Sequence, residues 1–287
     1  MNMCHRYSVW ALYFVLLLMM GGCSVKRNTI ITIKGSDTMV NMMQGLAEDF
    51  MNMYPDYRVH ITGGGSGNGI AALLNGLTDI ASISRPLKIS EINEAAQRGI
   101  RFTVIPVAMD GIVVAVHASS RYDSLSLTQV KSFFTGSAAS DAAVTLYGRE
   151  NSSGTFEYFR DKVLHHASFD QKMQHLPGTA FIAEMVAKDP SAMGFGGVSY
   201  FLQRPGVKIL ALSQDSLSNA VLPVQQGHLN AEALRNGSYP LSRTLFLVMQ
   251  QQGDEAETAF IRYLQSARAH KVMVDMSFIP VSGAPVQ

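Results

Sequence analysis

The chain reads as an α/β protein of two lobes with a cleft between them, on three observations. Strand–loop–helix units follow one another in series, the pattern of a largely parallel sheet covered by helices. The same plan starts again in the middle of the sequence. No internal repeat, low-complexity tract or linker separates consecutive domains, which fits a chain that crosses between two α/β layers. With 287 residues and 47% hydrophobic composition, there is apolar material for one large domain or two modest ones.

Residues 1–22 carry the marks of an export signal. His5 and Arg6 give a short positive stretch, and residues 10–20 are apolar without interruption. A bilayer span needs about 20 such residues, so this segment is too short to cross one. Met20-Gly21-Gly22-Cys23 resembles a bacterial lipobox, with Met where the pattern prefers Leu; the alternative is an ordinary signal peptide followed by a chance cysteine. Of the two cysteines, Cys4 lies in the segment that would be removed. The mature chain would then carry one Cys at its first position with no disulfide to make, and lipidation of Cys23 is its simplest use. Residues 23–29 follow as the lipidated N-terminus and polar tether. No other apolar stretch is long and unbroken enough for a transmembrane helix, so the rest is expected outside the cytoplasmic membrane.

The elements follow in order. Residues 29–33 alternate with β-branched side chains and read as a strand. Gly35-Ser36-Asp37-Thr38 makes a turn, and Met39, Met43, Leu46, Ala47, Phe50 and Met53 recur at helical spacing. Residues 57–62 form a second strand that ends in a glycine-rich run, after which Ile70, Leu73, Leu74 and Leu77 mark a helix. Residues 79–84 are a third strand and 90–98 a short helix closed by Gly99. Residues 102–107 and 111–117 read as two apolar β runs in tandem. The second half supplies a helix at 128–134, a strand at 144–149, and helices at 155–164 and 181–188. Met193-Gly194-Phe195-Gly196-Gly197 reads as a glycine-rich turn, 245–249 as a strand, and 255–270 as one long closing helix.

The net charge is +1 and only 16% of residues are charged. No basic run is interleaved with aromatic residues, so nucleic acid is not an expected partner. A small oxyanion needs only one or two well-placed cations. Three loops share the chemistry for one: Gly35-Ser36-Asp37-Thr38, Gly65-Ser66-Gly67-Asn68-Gly69 and Ser152-Ser153-Gly154-Thr155. Each sets hydroxyls and glycines between a strand and a helix start, where orphan N–H groups and the positive end of the helix dipole point outward. Taken singly, such residues also serve as ordinary helix caps. Arg149, four residues before Ser153, adds a fork of charged donors beside the third loop.

Other chemistries find less. The glycine loop lacks the Lys of a nucleotide-hydrolysing P-loop. Gly67-x-Gly69-x-x-Ala72 fits a dinucleotide fingerprint in form, with Glu91 downstream, but an exported lipoprotein has little use for a nicotinamide. Ser66 is followed two residues later by Asn68, where a nucleophile elbow needs Gly. Among the eight histidines, His165 and His166 are adjacent and no pair has helical zinc-ligand spacing. Neither metal nor cofactor is expected.

These residues resemble the phosphate-binding component of bacterial phosphate ABC transporters, over nearly the whole mature chain. The resemblance is carried by Lys34-Gly35-Ser36-Asp37-Thr38-Met39, by Gly64 to Ile70, by Asp79 to Leu87, and by Arg149-Glu150-Asn151-Ser152-Ser153-Gly154-Thr155. It implies a two-lobed periplasmic-binding-protein fold of type II with the ligand cleft between lobes: residues 30–112 plus 242–287 in one, 113–241 in the other. It also implies that Thr38 and Ser66 bind phosphate from the first lobe and Arg149, Ser153, Gly154 and Thr155 from the second. Ser36 would assist, and Ser84 would face the cleft. Several family members carry Asp where this chain has Arg85, and that carboxylate accepts the proton of phosphate. Asp110 is the candidate replacement, facing the ligand or pairing with Arg85; it reads equally as a turn or hinge residue.

The resemblance further implies a monomer that hands phosphate to permease subunits, held to the lipid bilayer through acylated Cys23, and no enzymatic activity. The competing readings are an exported phosphatase-like hydrolase, a binding protein for sulfate or molybdate, and a sensor or adhesion lipoprotein.

Overall fold

The computed structural model describes residues 29–137, 144–251 and 253–281, so the export signal, the lipobox and Cys23 lie outside the described residues. The strands are β1 (Thr29–Gly35), β2 (Tyr57–Thr62), β3 (Ile80–Ile83), β4 (Phe102–His117), β5 (Ser124–Ser126), β6 (Thr145–Arg149), β7 (Gln174–Leu176), β8 (Ala192–Gly197), β9 (Val207–Ile209), β10 (Ala211–Ser213), β11 (Val224–Gln225), β12 (His228–Leu229), β13 (Ser242–Gln250) and β14 (Ile279–Pro280). The helices are α1 (Val40–Met53), α2 (Ser66–Leu74), α3 (Ile89–Gln97), α4 (Leu127–Phe134), α5 (Gly154–Lys162), α6 (Thr179–Lys188), α7 (Ala231–Arg235), α8 (Glu255–Leu264) and α9 (Ala267–Asp275).

The main sheet runs in the order β2-β1-β3-β13-β4-β8-β6-β7. β1 pairs in parallel with both β2 and β3, and β6 pairs in parallel with both β7 and β8. The two parallel groups are joined by β4 and β13. Residues 102–111 of β4 pair antiparallel with β13, whereas Ile112 to Val116 pair antiparallel with β8. One 16-residue strand therefore belongs to both lobes. The expected break between two tandem β runs is absent, because Met109 and Asp110 stay extended opposite Thr244 and Arg243.

Each half of the sheet is covered on both faces, which explains the fully buried β3. In the first half, Ile31, Ile33, Leu245 and Leu247 pack with Met43, Leu46 and Phe50 of α1 and Phe260 of α8. Across the sheet, Ala81, Ile83 and Val248 meet Ile70 and Leu73 of α2 and Ala95 of α3. In the second half, β4 alternates with period two. Ile112, Val114 and Val116 face the core of α4 and α5, and Val113 and Ala115 face that of α6. The fold is the mixed α/β, two-lobed architecture the sequence predicts.

Two elements differ from expectation for packing reasons. Residues 192–197 form β8 and not a turn. A Cβ on Gly194 would lie 2.6 Å from Ile182 Cγ2, and one on Gly196 would lie 2.3 Å from Thr179 Cγ2. These glycines let α6 lie close on the strand. The closing helix is two helices, because Ser266 accepts a hydrogen bond from the Ala269 N–H at 3.1 Å and starts α9 as its N-cap.

Candidate functional site

Three strand-to-helix loops come together across the two halves of the sheet. The β1–α1 loop opens with Ser36, whose N–H donates to the Ser82 carbonyl at 2.8 Å and to Ser82 Oγ at 3.1 Å. A short 3-10 turn, Asp37–Met39, then places the buried Thr38 hydroxyl 3.0 Å from Thr155 Oγ1 of the opposite lobe. At the start of α2, Ser66 Oγ accepts from the Ser84 N–H at 3.1 Å and lies 3.4 Å from Ser84 Oγ. The Gly67 N–H donates to the Ser152 carbonyl at 3.1 Å, a second contact between lobes.

The β6–α5 loop brings the second lobe's share. Ser153 is the N-cap of α5, its Oγ accepting from the N–H groups of Thr155 at 3.2 Å and Phe156 at 3.4 Å. Its side chain thus performs the capping role that such residues offer. Gly154 and Thr155 form the first turn, at the positive end of the helix dipole. Arg149 ends β6 with its side chain 1% exposed; Nε donates to the Leu176 carbonyl at 3.2 Å and Nη2 to Asp37 Oδ2 at 2.6 Å. The Asp37 side chain, 20% exposed, also accepts from the Gly64 N–H at 3.0 Å.

Ser36, Thr38, Ser66, Ser84, Arg149, Ser153, Gly154 and Thr155 are thus buried together around this junction. Arg85 is engaged elsewhere. Its two Nη groups donate to Glu91 at 2.9 and 2.7 Å, and its Nε pairs with Glu157 of α5. Asp110 pairs not with Arg85 but with Arg243: Arg243 Nε donates to Oδ1 at 2.6 Å and Nη2 to Oδ2 at 3.0 Å.

Arg243 is the residue that sequence reasoning missed. The strand expected from the sequence starts at Leu245, three residues late. Extended to Ser242, the strand puts Arg243 on the same buried side as Leu245 and Leu247, and a charge on the core face of a strand is a signal for function or pairing.

Two arginines and two aspartates alternate here, so the site adds little net charge and offers many donors. Tyr200 donates from its hydroxyl to the Asp37 carbonyl at 2.6 Å. Burial pushes its phenol up to about 12, the Asp37 carboxylate adds to this and Arg149 opposes it, so Tyr200 remains a neutral donor. Among the described residues, none of the site hydroxyls hydrogen-bonds to a histidine or carboxylate able to activate it, and no cluster of three or more His, Cys, Asp and Glu could hold a metal. The arrangement suits capture of a small oxyanion by N–H, O–H and guanidinium donors. The family model described as a PBP superfamily domain matches residues 24–268.

The chain belongs to that superfamily. It is 27% identical over 271 residues to the phosphate-binding protein PstS of Pseudomonas aeruginosa, covering 86% of this chain and 81% of the relative. It is 28% identical over 275 residues to the protein SphX of Synechococcus elongatus, covering 89% and 78% respectively. Its fold is similar to that of a putative phosphate ABC transporter substrate-binding protein with bound phosphate from Clostridium perfringens. That match has a TM-score of 0.77 and 24% identity, and covers 88% of this chain and 100% of that one. Among the described residues no helix is long and apolar enough to cross a membrane.

Proposed function

We propose that this protein is an extracytoplasmic solute-binding lipoprotein that captures inorganic phosphate between its lobes and delivers it to the permease of an ABC transporter. One observation carries the reading: the Arg149 guanidinium of one lobe pairs with Asp37 of the other, while Thr155 and Gly154 of its helix start meet Thr38, Ser66 and Ser84. The names of the relatives support the same ligand. Ser36 assists through the first turn. The lobes divide at Ile112 and at Leu241–Ser242, into residues 30–112 with 242–287 and residues 113–241, with Ile112 as the joint residue that already pairs with Gly197 of the second, and closure buries the ion between helix N-termini. The protein works as a monomer held to the membrane by acylated Cys23. It binds and releases its ligand without making or breaking a bond.

Calorimetric titration with phosphate and sulfate tests this. A charged hydrogen bond to a buried anion contributes a few kcal/mol, so Arg149→Ala is expected to weaken phosphate binding by about a hundredfold or more with the fold intact by circular dichroism. Absence of phosphate binding by the unaltered protein, or an Arg149→Ala protein with unchanged affinity, overturns the reading.

A further inference from the structure

Arg243 and Asp110 form a buried ion pair that reaches into the site from β13 and β4, next to the points where the chain passes between the lobes, yet the capture of an anion by Arg149 and the hydroxyls makes no use of it. We infer that Arg243 is a positioning residue that sets the direction of the Thr38 and Thr155 hydroxyl protons, and that Asp110 acts through it. The inference rests on the phosphate reading given above.

An arginine carries five N–H donors and no acceptor. All five find partners inside the protein. Nε and one Nη2 hydrogen go to the two oxygens of Asp110 at 2.6 and 3.0 Å. The other Nη2 hydrogen goes to Thr38 Oγ1 at 3.3 Å, and Nη1 donates to Thr155 Oγ1 at 3.0 Å and to the Ser84 carbonyl at 3.1 Å. No donor is left for a ligand, so Arg243 does not touch one. Its effect passes through the two threonines.

A hydroxyl that accepts from an N–H must direct its own proton elsewhere. Thr38 Oγ1 and Thr155 Oγ1 are 3.0 Å apart, so one of the two protons lies between them, whichever residue donates it. The other has no further protein acceptor among the described residues and points out of the pair. By donating to both oxygens, Arg243 turns this hydrogen-bonded pair of hydroxyls, one from each lobe, into a donor aimed at an anion oxygen. The oriented donor favours an unprotonated oxygen at that point. Asp110 is 0% exposed and grips the guanidinium plane with both oxygens, which fixes the direction of the two Nη groups and cancels their charge. On this assignment Asp110 does not receive the proton of phosphate.

A double-mutant cycle read by calorimetry with inorganic phosphate tests the assignment. Arg243→Lys keeps a positive charge for Asp110 but replaces the planar fork by a single ammonium. It is expected to weaken phosphate by about tenfold in the wild-type background, and by no more than about twofold when Thr38→Val and Thr155→Val are already present. A merely structural role would give the same loss in both backgrounds, and that result overturns the inference while leaving the phosphate reading standing. If unaltered protein binds no phosphate, the reading of the site falls and the inference with it. Should Arg243→Lys fail to fold, Arg243→Met combined with Asp110→Leu removes both buried charges together and enters the same cycle with the same expected non-additivity.

Discussion

Gly154 sits where a single methyl group decides whether the two lobes can meet. A Cβ there would lie 2.3 Å from Ser66 Oγ and 2.7 Å from Ser84 Oγ, both of the opposite lobe. Within its own helix the same methyl is harmless, since Ala is a better helix former than Gly. Gly154→Ala is therefore expected to leave the melting temperature without ligand no lower than wild type, while raising the phosphate dissociation constant on the order of tenfold or more. A variant that melts early, or one that binds as tightly as wild type, contradicts this. Gly154, its neighbours and Arg149 were legible in the sequence because they are adjacent along the chain and precede a helix start. Arg243 was not. Its partners Asp110, Thr38, Ser84 and Thr155 lie 133, 205, 159 and 88 residues away, and only the folded sheet gathers them.

At the scale of elements, local chemistry located most strands and helices but not the places where packing reinterprets it. The glycines of β8 look like a turn until α6 is laid on them. The break between α8 and α9 follows from a serine cap inside an otherwise continuous apolar periodicity. The start of α8 has a further consequence. Asp254 caps it, its Oδ1 accepting from the N–H groups of Ala256 at 2.9 Å and Glu257 at 3.0 Å, and a second carboxylate, Glu257, lies in the same turn. Burial, and after it Asp254 and Asp79, push Glu257 from the ordinary 4.5 up to about 7. Between those values the folded chain holds a proton that the unfolded chain has lost, so stability falls as pH rises through that window. Glu257→Gln is expected to melt with wild type near pH 4.5 and above it at pH 7 and beyond. Thermal melts across this range decide it; a constant difference between the two proteins rejects the assignment.

For the molecule as a whole, closure depends on how the lobes are joined and on what holds them together. The described chain crosses between the halves of the sheet at Gly111–Ile112 within β4 and at Leu241–Ser242 entering β13. The Ile112 N–H donates to the Leu241 carbonyl at 2.9 Å, and the Tyr239 hydroxyl donates to the Ile112 carbonyl at 2.7 Å, so the crossings form one narrow joint. Away from it, Glu157 of α5 pairs with both Arg85 and Lys88 of the first lobe. Arg85 keeps its two bonds to Glu91 if Glu157 is removed, so the first lobe loses no structural partner. What is lost is a contact between lobes. On the proposed reading a ligand enters before the lobes meet and leaves only after they part. Glu157→Ala should therefore leave the association rate constant unchanged and speed phosphate release, on the order of tenfold, since losses of this kind fall mainly on dissociation. Rapid-mixing measurements of both rate constants separate the outcomes. Slower association with unchanged release would place Glu157 in the encounter with the ion and not in holding the lobes closed.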